Sequence, residues 1–314
     1  MSLTDSAPHP PKPRVGCVGL GRLGGQLAAN LIASGFDVSG YRRHAREAFA
    51  AIGGRPAASV ADLAAASDVI ITCLPDAQAL DDVIAGPSGL IGAVHAGQIV
   101  LEVSTLAVVE KERQRDRLAA VGVAMLDCPL SGNPDFARNR QAVAFLSGDA
   151  DAIARARPVI AGFTDRAVEL GAFGNGSRMK FLANMLVAVH CMAAAEAFNA
   201  GARFGLSPET IAEALNLGAA GSAQLAVRAP VVSGSRTGQR RGNTGAPHSE
   251  FPTIAEFLRG LGAATPLFDT AMRHYEESLA AGFGGLDTGM IYTAILRANS
   301  APHPATPAVS PALA

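Results

Sequence analysis

The sequence predicts an α/β domain, built on a doubly wound and mostly parallel sheet, followed by an all-α domain. Three observations carry this expectation. From Arg14 onward, short apolar runs alternate with longer amphipathic ones, a pattern that implies parallel strands covered by helices on both faces. The alternation stops near residue 172, after which strand signals vanish and alanine-rich helical patterns take over. A chain of 314 residues is also long for one domain.

The expected strands are RVGCVG, FDVSGY, DVIITCL, QIVLEV, VAMLDC and AVAFLSG, with helices such as GGQLAANLIASG, DAQALDDVI and VVEKERQRDRLAAVG between them. In the second half, SPETIAEALN offers Ser207 as N-cap and Pro208 at the first helical position, a well-marked helix start. Further helices are expected over 221–232, 251–261, 266–281 and 287–298. SGSRTGQRRGNTGAPHS, residues 233–249, reads as a long exposed loop, and the Pro-rich ends read as disordered. The expected division is a disordered start over 1–13, a nucleotide-binding domain over 14–173, a helical substrate and oligomerisation domain over 174–298 and a tail over 299–314.

Composition excludes several function classes. At 49% hydrophobic and 17% charged residues, with a mean hydropathy of +0.23, the chain has ample material for a core. Its 26 Lys and Arg nearly cancel 27 Asp and Glu, so no global field draws nucleic acid or anionic lipid, and any anion recognition is local. The start MSLTDSAPHPPKPR lacks the apolar stretch of a signal peptide. The uncharged stretch 181–195 carries Asn184 and His190 and is too short and polar for a membrane span, so a cytoplasmic protein is expected. Cys17, Cys73, Cys128 and Cys191 show no metal-ligand spacing and sit in apolar contexts; they read as structural thiols, and no metal is expected.

GLGRLG places Gly19, Gly21 and Gly24 between a strand and a helix. Three glycines in that spacing arise by chance about 0.4 times in a chain this rich in glycine, so context carries the argument. After a strand and before a helix, the first glycine allows the tight turn, the second admits a pyrophosphate, and the third lets helix and strand pack closely. The helix N-terminus then holds the phosphates. At the end of the second strand an acidic residue would bond the ribose hydroxyls of NAD, whereas arginine accommodates the 2′-phosphate of NADP. The chain has YRRHAR there, with Arg42 near the acidic position and Arg43 next, which favours NADP.

GSRMKFLAN puts Lys180 at the head of the least polar segment of the chain. One reading is a lysine that snorkels its ammonium into water while its methylenes pack. The other is that Lys180 and Asn184, four residues apart, share one helix face and aim two polar groups at one place.

Six stretches in order, GLGRLGGQLAANLIASGFDV, ITCLPDAQALDDVI, GQIVLEVST, LDCPLSGNPDFARNRQAVAFLSGD, GNGSRMKFLAN and GGLDTGM, span residues 14–298. Together they resemble the β-hydroxyacid dehydrogenases: the 3-hydroxyisobutyrate dehydrogenase, tartronate semialdehyde reductase and glyoxylate/succinic semialdehyde reductase group, with 6-phosphogluconate dehydrogenase more distant. The resemblance implies a Rossmann domain, a long interdomain helix and a helical second domain that supports a homodimer or homotetramer. It implies that Leu20, Arg22 and Leu23 of the glycine turn, with Leu74 and Pro75 of the L-P-D stretch, join the cofactor contacts, and that Ser104 and Thr105 lie near the nicotinamide. Ser131, Gly132 and Asn133 would bind the substrate carboxylate, Lys180 would be the catalytic acid/base, and Asn184 would orient the substrate. Lysine suits that role, because hydride transfer to a carbonyl builds negative charge that a cationic donor stabilises and protonates. Lys180 and Asn184 are then expected to line the cleft between the two domains.

The expected activity is NADPH-dependent reduction of a small oxo acid or semialdehyde acid, and its reverse. The chain departs from the family pattern on the substrate side. Asn133 replaces the second glycine of S-G-G, and Ser249, Glu250 and Phe251 stand where family members carry K-D-L, leaving Glu250 as a substrate-side carboxylate. Arg236, Arg240 and Arg241 lie just before that segment and read either as a solvated loop or as a recruiter of a second acidic group. Two other activities stay open: an imine reductase on the same scaffold, against which Lys180 argues, and an NADP-binding protein that has lost turnover.

Overall fold

The computed structural model describes residues 11–42, 47–132, 134–233, 245–280, 282, 291, 292 and 295. The expectations for Arg43, Asn133, Arg236, Arg240, Arg241, the tail and most of the last helix lie outside them, as does the side chain of Ser249. The chain separates into two compact units, Met1–Phe181 and Leu182–Ala314.

The first unit opens as expected, with β1 (Val15–Val18), α1 (Arg22–Ala33), β2 (Val38–Tyr41), α2 (Glu47–Ala51), β3 (Arg55–Pro56), α3 (Val60–Ala65), β4 (Val69–Thr72), α4 (Ala77–Ala85), β5 (Ile99–Glu102), α5 (Val108–Ala119) and β6 (Ala124–Asp127). These six strands form one parallel sheet in the order β3-β2-β1-β4-β5-β6. The order reverses between β1 and β4, and in such sheets ligands bind outside the carboxyl ends of the strands at that point. Strand residues alternate between two cores, as a sheet covered on both faces requires. Val15, Cys17, Val69, Ile71, Ile99 and Leu101 pack with α1 residues Leu27 and Leu31, while Val18, Ile70, Val100 and Met125 pack with Leu63, Leu80 and Leu118 from α3, α4 and α5.

Beyond β6 the sequence misleads. β7 (Leu130–Ser131), α6 (Pro134–Arg138), β8 (Val143–Leu146), α7 (Ala150–Phe163) and β9 (Arg166–Glu169) follow, and β8 does not extend the parallel sheet. It runs antiparallel to β7 and parallel to β9 in a separate three-stranded sheet. The chain runs straight on from β6 through Pro129 into β7: Asp127 bridges Ser147, Pro129 C=O accepts from Phe145 N–H, and Ser131 pairs with Val143 in one antiparallel register, Pro129 having no N–H to donate to a parallel ladder. The brief β3, β7 and β9 were not anticipated.

Helix α8 (Asn175–Arg203) is continuous over 29 residues and holds the division between the two units. By length and composition it is apolar enough to cross a membrane, contrary to the shorter segment expected, but 44% of its most apolar window is buried within the structure. The second unit continues with α9 (Pro208–Asn216), α10 (Ala223–Val232), α11 (Gly245–Gly260) and α12 (Pro266–Ala280). Ser207 caps α9 as expected, its side chain accepting from Thr210 N–H at 3.2 Å. Helix α11 starts at Gly245, inside the stretch expected to be a loop up to residue 249. Phe198, Ile211 and Leu225 form one core of this unit, and Phe251 packs on Phe268 and Tyr275 in another.

Candidate active site

The glycine turn closes the gap between β1 and α1, at the point where the strand order reverses. Gly19 has φ +94°, a conformation that side chains resist, and a Cβ there would lie 2.1 Å from the carbonyl oxygen of Cys73. Its N–H donates to Tyr41 C=O at 3.1 Å, tying the turn to the end of β2. A Cβ on Gly24 would fall 2.1 Å from Gly19 O, so this glycine sets how closely the helix approaches the turn. A Cβ on Gly21 would meet nothing within 4 Å. Gly21 is also the N-cap of α1 and provides no side-chain hydrogen bond to the first turn, which leaves N–H groups and a positive helix end for an anion. The three positions thus match the three demands of a dinucleotide pyrophosphate.

The other expected cofactor residues surround this turn to different degrees. Leu20 is buried, Leu23 packs against the core, and Arg22 is exposed at the first position of α1. Arg42, half-buried, directly follows β2, so a basic residue stands where an NAD site carries an acid. Leu74 and Ser104, from the loops after β4 and β5, are brought together: Leu74 N–H donates to Ser104 Oγ at 2.8 Å. Pro75 is exposed and Thr105 half-buried.

Ser131 ends β7, paired with Val143 of β8, and Gly132 follows at φ +142°. Lys180 is 9% exposed, in the second turn of α8. The segment before it is fixed by glycine: a Cβ on Gly176 would lie 2.4 Å from Phe145 O, so the first turn of α8 lies directly against backbone. In the second unit, Asn184 Nδ2 donates to the Glu250 carboxylate. A carboxylate accepts only, so this contact fixes the amide with nitrogen toward Glu250 and Oδ1 facing elsewhere.

Sequence reasoning missed a cluster of buried charged groups. Glu102, Lys111 and Asp127 are fully buried at the ends of β5 and β6 and in α5. The signal was an acid inside each of two apolar stretches, QIVLEV and VAMLDC. Cys17, Cys128 and Cys191 are buried and Cys73 is half-buried; burial first, then the neighbouring Glu102 carboxylate, pushes the Cys73 thiol up to about 12. Burial and Cys73 do the same for Cys17, up to about 12, and burial raises Cys128.

A parallel sheet in this order, with a three-glycine turn at its switch point, defines the dinucleotide-binding class of protein. Residues 14–171 match the NAD-binding domain of 6-phosphogluconate dehydrogenase, and residues 174–295 match the domain described as the NAD-binding domain of NADP-dependent 3-hydroxyisobutyrate dehydrogenase. The chain belongs to the β-hydroxyacid dehydrogenase family and is an NAD(P)-dependent oxidoreductase acting on CH–OH groups. It is 31% identical to an L-threonate dehydrogenase of Cupriavidus necator, over 88% of this chain and 94% of that one. It is 30% identical to an NAD-dependent L-serine dehydrogenase of Pseudomonas aeruginosa, over 69% and 74%. A 3-hydroxyisobutyrate dehydrogenase structure from Salmonella typhimurium shares the fold, with a TM-score of 0.80, 24% identity and coverage of 89% and 99%.

The glycine geometry separates two substitutions. Gly21→Ala leaves the thermal midpoint essentially unchanged while weakening NAD(P)(H) binding at least tenfold. Gly24→Ala lowers both, because its methyl group meets backbone. Thermal unfolding with and without cofactor distinguishes these outcomes.

Proposed function

We propose that this protein is a cytoplasmic NADP(H)-dependent enzyme that interconverts a small hydroxy acid with the corresponding oxo acid or semialdehyde acid, Lys180 being the general acid/base. The observation that carries the reading is Lys180 itself, nine-tenths buried at the end of an α/β unit with a dinucleotide turn. A buried lysine responds strongly to its surroundings, which suits proton transfer. The named relatives, L-threonate and L-serine dehydrogenases, have substrates with both a carboxylate and a hydroxyl, which supports a substrate of that class.

The residues divide the work. The α1 N-terminus and the glycine turn hold the pyrophosphate, Arg42 and Arg43 the 2′-phosphate, and Ser104 and Thr105 the nicotinamide side. The bound nicotinamide supplies or receives the hydride. In reduction Lys180 Nζ donates a proton to the substrate oxygen as negative charge develops there; in oxidation it takes the hydroxyl proton. Ser131, Gly132 and Asn133 receive the substrate carboxylate. Asn184, its amide nitrogen turned to Glu250, offers Oδ1 as acceptor to a substrate hydroxyl. Glu250 thus bears on the substrate by holding Asn184, a task for which a carboxylate one methylene longer than aspartate serves. The second unit leaves Phe204, Leu217, Leu261 and Leu267 exposed, which supports assembly of a homodimer or homotetramer through that unit.

Four measurements test this. A panel of 3-hydroxy acids, oxo acids, semialdehyde acids and cyclic imines, assayed with NADP(H), will show turnover of a carboxylate-bearing alcohol or carbonyl; turnover of cyclic imines alone identifies an imine reductase, and tight NADPH binding without turnover a non-catalytic protein. Lys180→Ala lowers kcat by about 10²–10⁴-fold, and retention of most of the rate would exclude it as acid/base. Arg42→Ala and Arg43→Ala shift the ratio of kcat/KM for NADP over NAD toward NAD; an unchanged ratio, or equal use of both by the parent, refutes the cofactor preference. Sedimentation equilibrium at micromolar concentration returns two or four times 32.0 kDa, and a monomer there refutes the assembly.

A further inference from the structure

Three strands of the parallel sheet end level with one another on polar residues. Thr72 pairs in register with Glu102, and Glu102 with Asp127, so all three project from the same face of the sheet. That face is covered by α5, which delivers Lys111 into the row; all four residues are fully buried. Lys111 Nζ donates to Ser104 C=O at 2.6 Å and to Asp127 Oδ1 at 2.9 Å, and lies 3.8 Å from Glu102 Oε1.

Each carboxylate holds a different segment. Glu102 accepts from Ser104 N–H at 2.7 Å and from the Thr72 hydroxyl, and Ser104 Oγ in turn accepts from Leu74 N–H. Asp127 accepts from Ser177 N–H and Ser177 Oγ, both at 2.7 Å, and from Ser147 Oγ at 3.2 Å; Ser147 Oγ accepts from Gly176 N–H at 2.9 Å. One arm therefore fixes the loops at Leu74 and Ser104, and the other fixes the first turn of α8, three residues before Lys180. Lys111 is the group that binds to both arms.

We propose that Lys111 is a positioning residue that sets the nicotinamide-side loop at Ser104–Thr105 against the turn of α8 that carries Lys180. Stability alone is a weak reason for such a cluster, since buried ion pairs are commonly replaceable by apolar side chains without loss. The directed bonds to both segments give the lysine a geometric task instead. Lys111 touches neither reacting atom; it acts through Ser104 and through Asp127.

The proposal rests on the nicotinamide and Lys180 assignments above, so its test includes readouts that need no substrate. Lys111→Met is compared with the parent for NADPH fluorescence on binding, for affinity toward adenosine 2′,5′-bisphosphate, which lacks the nicotinamide half, and for kcat on whichever substrate the panel yields. Should Lys111→Met fail to fold, the double variant Lys111→Met/Asp127→Asn removes both charges and keeps an acceptor for Ser177. The expected result is a kcat at least tenfold lower and a changed fluorescence of bound NADPH, with adenosine 2′,5′-bisphosphate affinity within twofold of the parent. Unchanged fluorescence in a folded variant overturns the proposal, as does an equal loss of adenosine 2′,5′-bisphosphate affinity, which marks general damage. If no substrate in the panel turns over, the functional reading fails, while the fluorescence and affinity comparison still decides the role of Lys111.

Discussion

The register of the parallel strands governs almost everything described for the first unit. Because Val18, Thr72 and Glu102 stand level, and Asp127 beside them, the loops that follow all leave the sheet at one edge. The glycine turn, the Leu74 loop, the Ser104 loop and the start of α8 gather there without needing to be near in sequence. A slip of one residue in any strand would turn its polar end residue from one face to the other. Both faces of these strands are buried, so what opposes such a slip is the fit of Ile70 and Val100 in their own core and the buried bonds of Thr72, Glu102 and Asp127.

Two kinds of constraint meet at that edge. Around Gly19, Gly24 and Gly176 the constraint is exclusion: backbone atoms lie where a side chain would begin, so the chain accepts only glycine. Around Lys111 it is satisfaction: charges buried away from water need partners in fixed directions. The first kind brings backbone directly against backbone. The second specifies the angle at which loops and helix leave the sheet.

Much of this was legible in the sequence, for reasons that can be named. The strands of the main sheet are apolar runs punctuated by helices, and the glycine spacing follows from the geometry of the turn. Ser207 announces a helix because a serine before proline has few other uses there. What stayed hidden depends on pairing between distant segments. Strands β3, β7 and β9 run only two to four residues, and β9 is exposed throughout, so no periodicity marks them. Lys111 sits in VVEKERQRDRL, where a run of charges reads as a solvated face; only the register of β5 and β6 shows that it points inward. Glu102 and Asp127 fall inside the expected strands QIVLEV and VAMLDC, where nothing local tells which partner each would meet. The contact between Asn184 and Glu250 joins residues 66 positions apart and leaves no local trace.

The bonds of Asp127 also bear on where the first unit can be cut. Strand and helix alternation finishes near residue 172, and a fragment designed on that pattern would stop there. It would lack Gly176 and Ser177, and with them two bonds to the Asp127 carboxylate and one to Ser147. Hydrogen bonds to a charged group are worth about 1.5–3 kcal/mol each, a large part of what a domain has in hand. The opening turns of α8 are therefore part of the α/β body in folding terms, and a truncation that keeps that body autonomous has to carry them along.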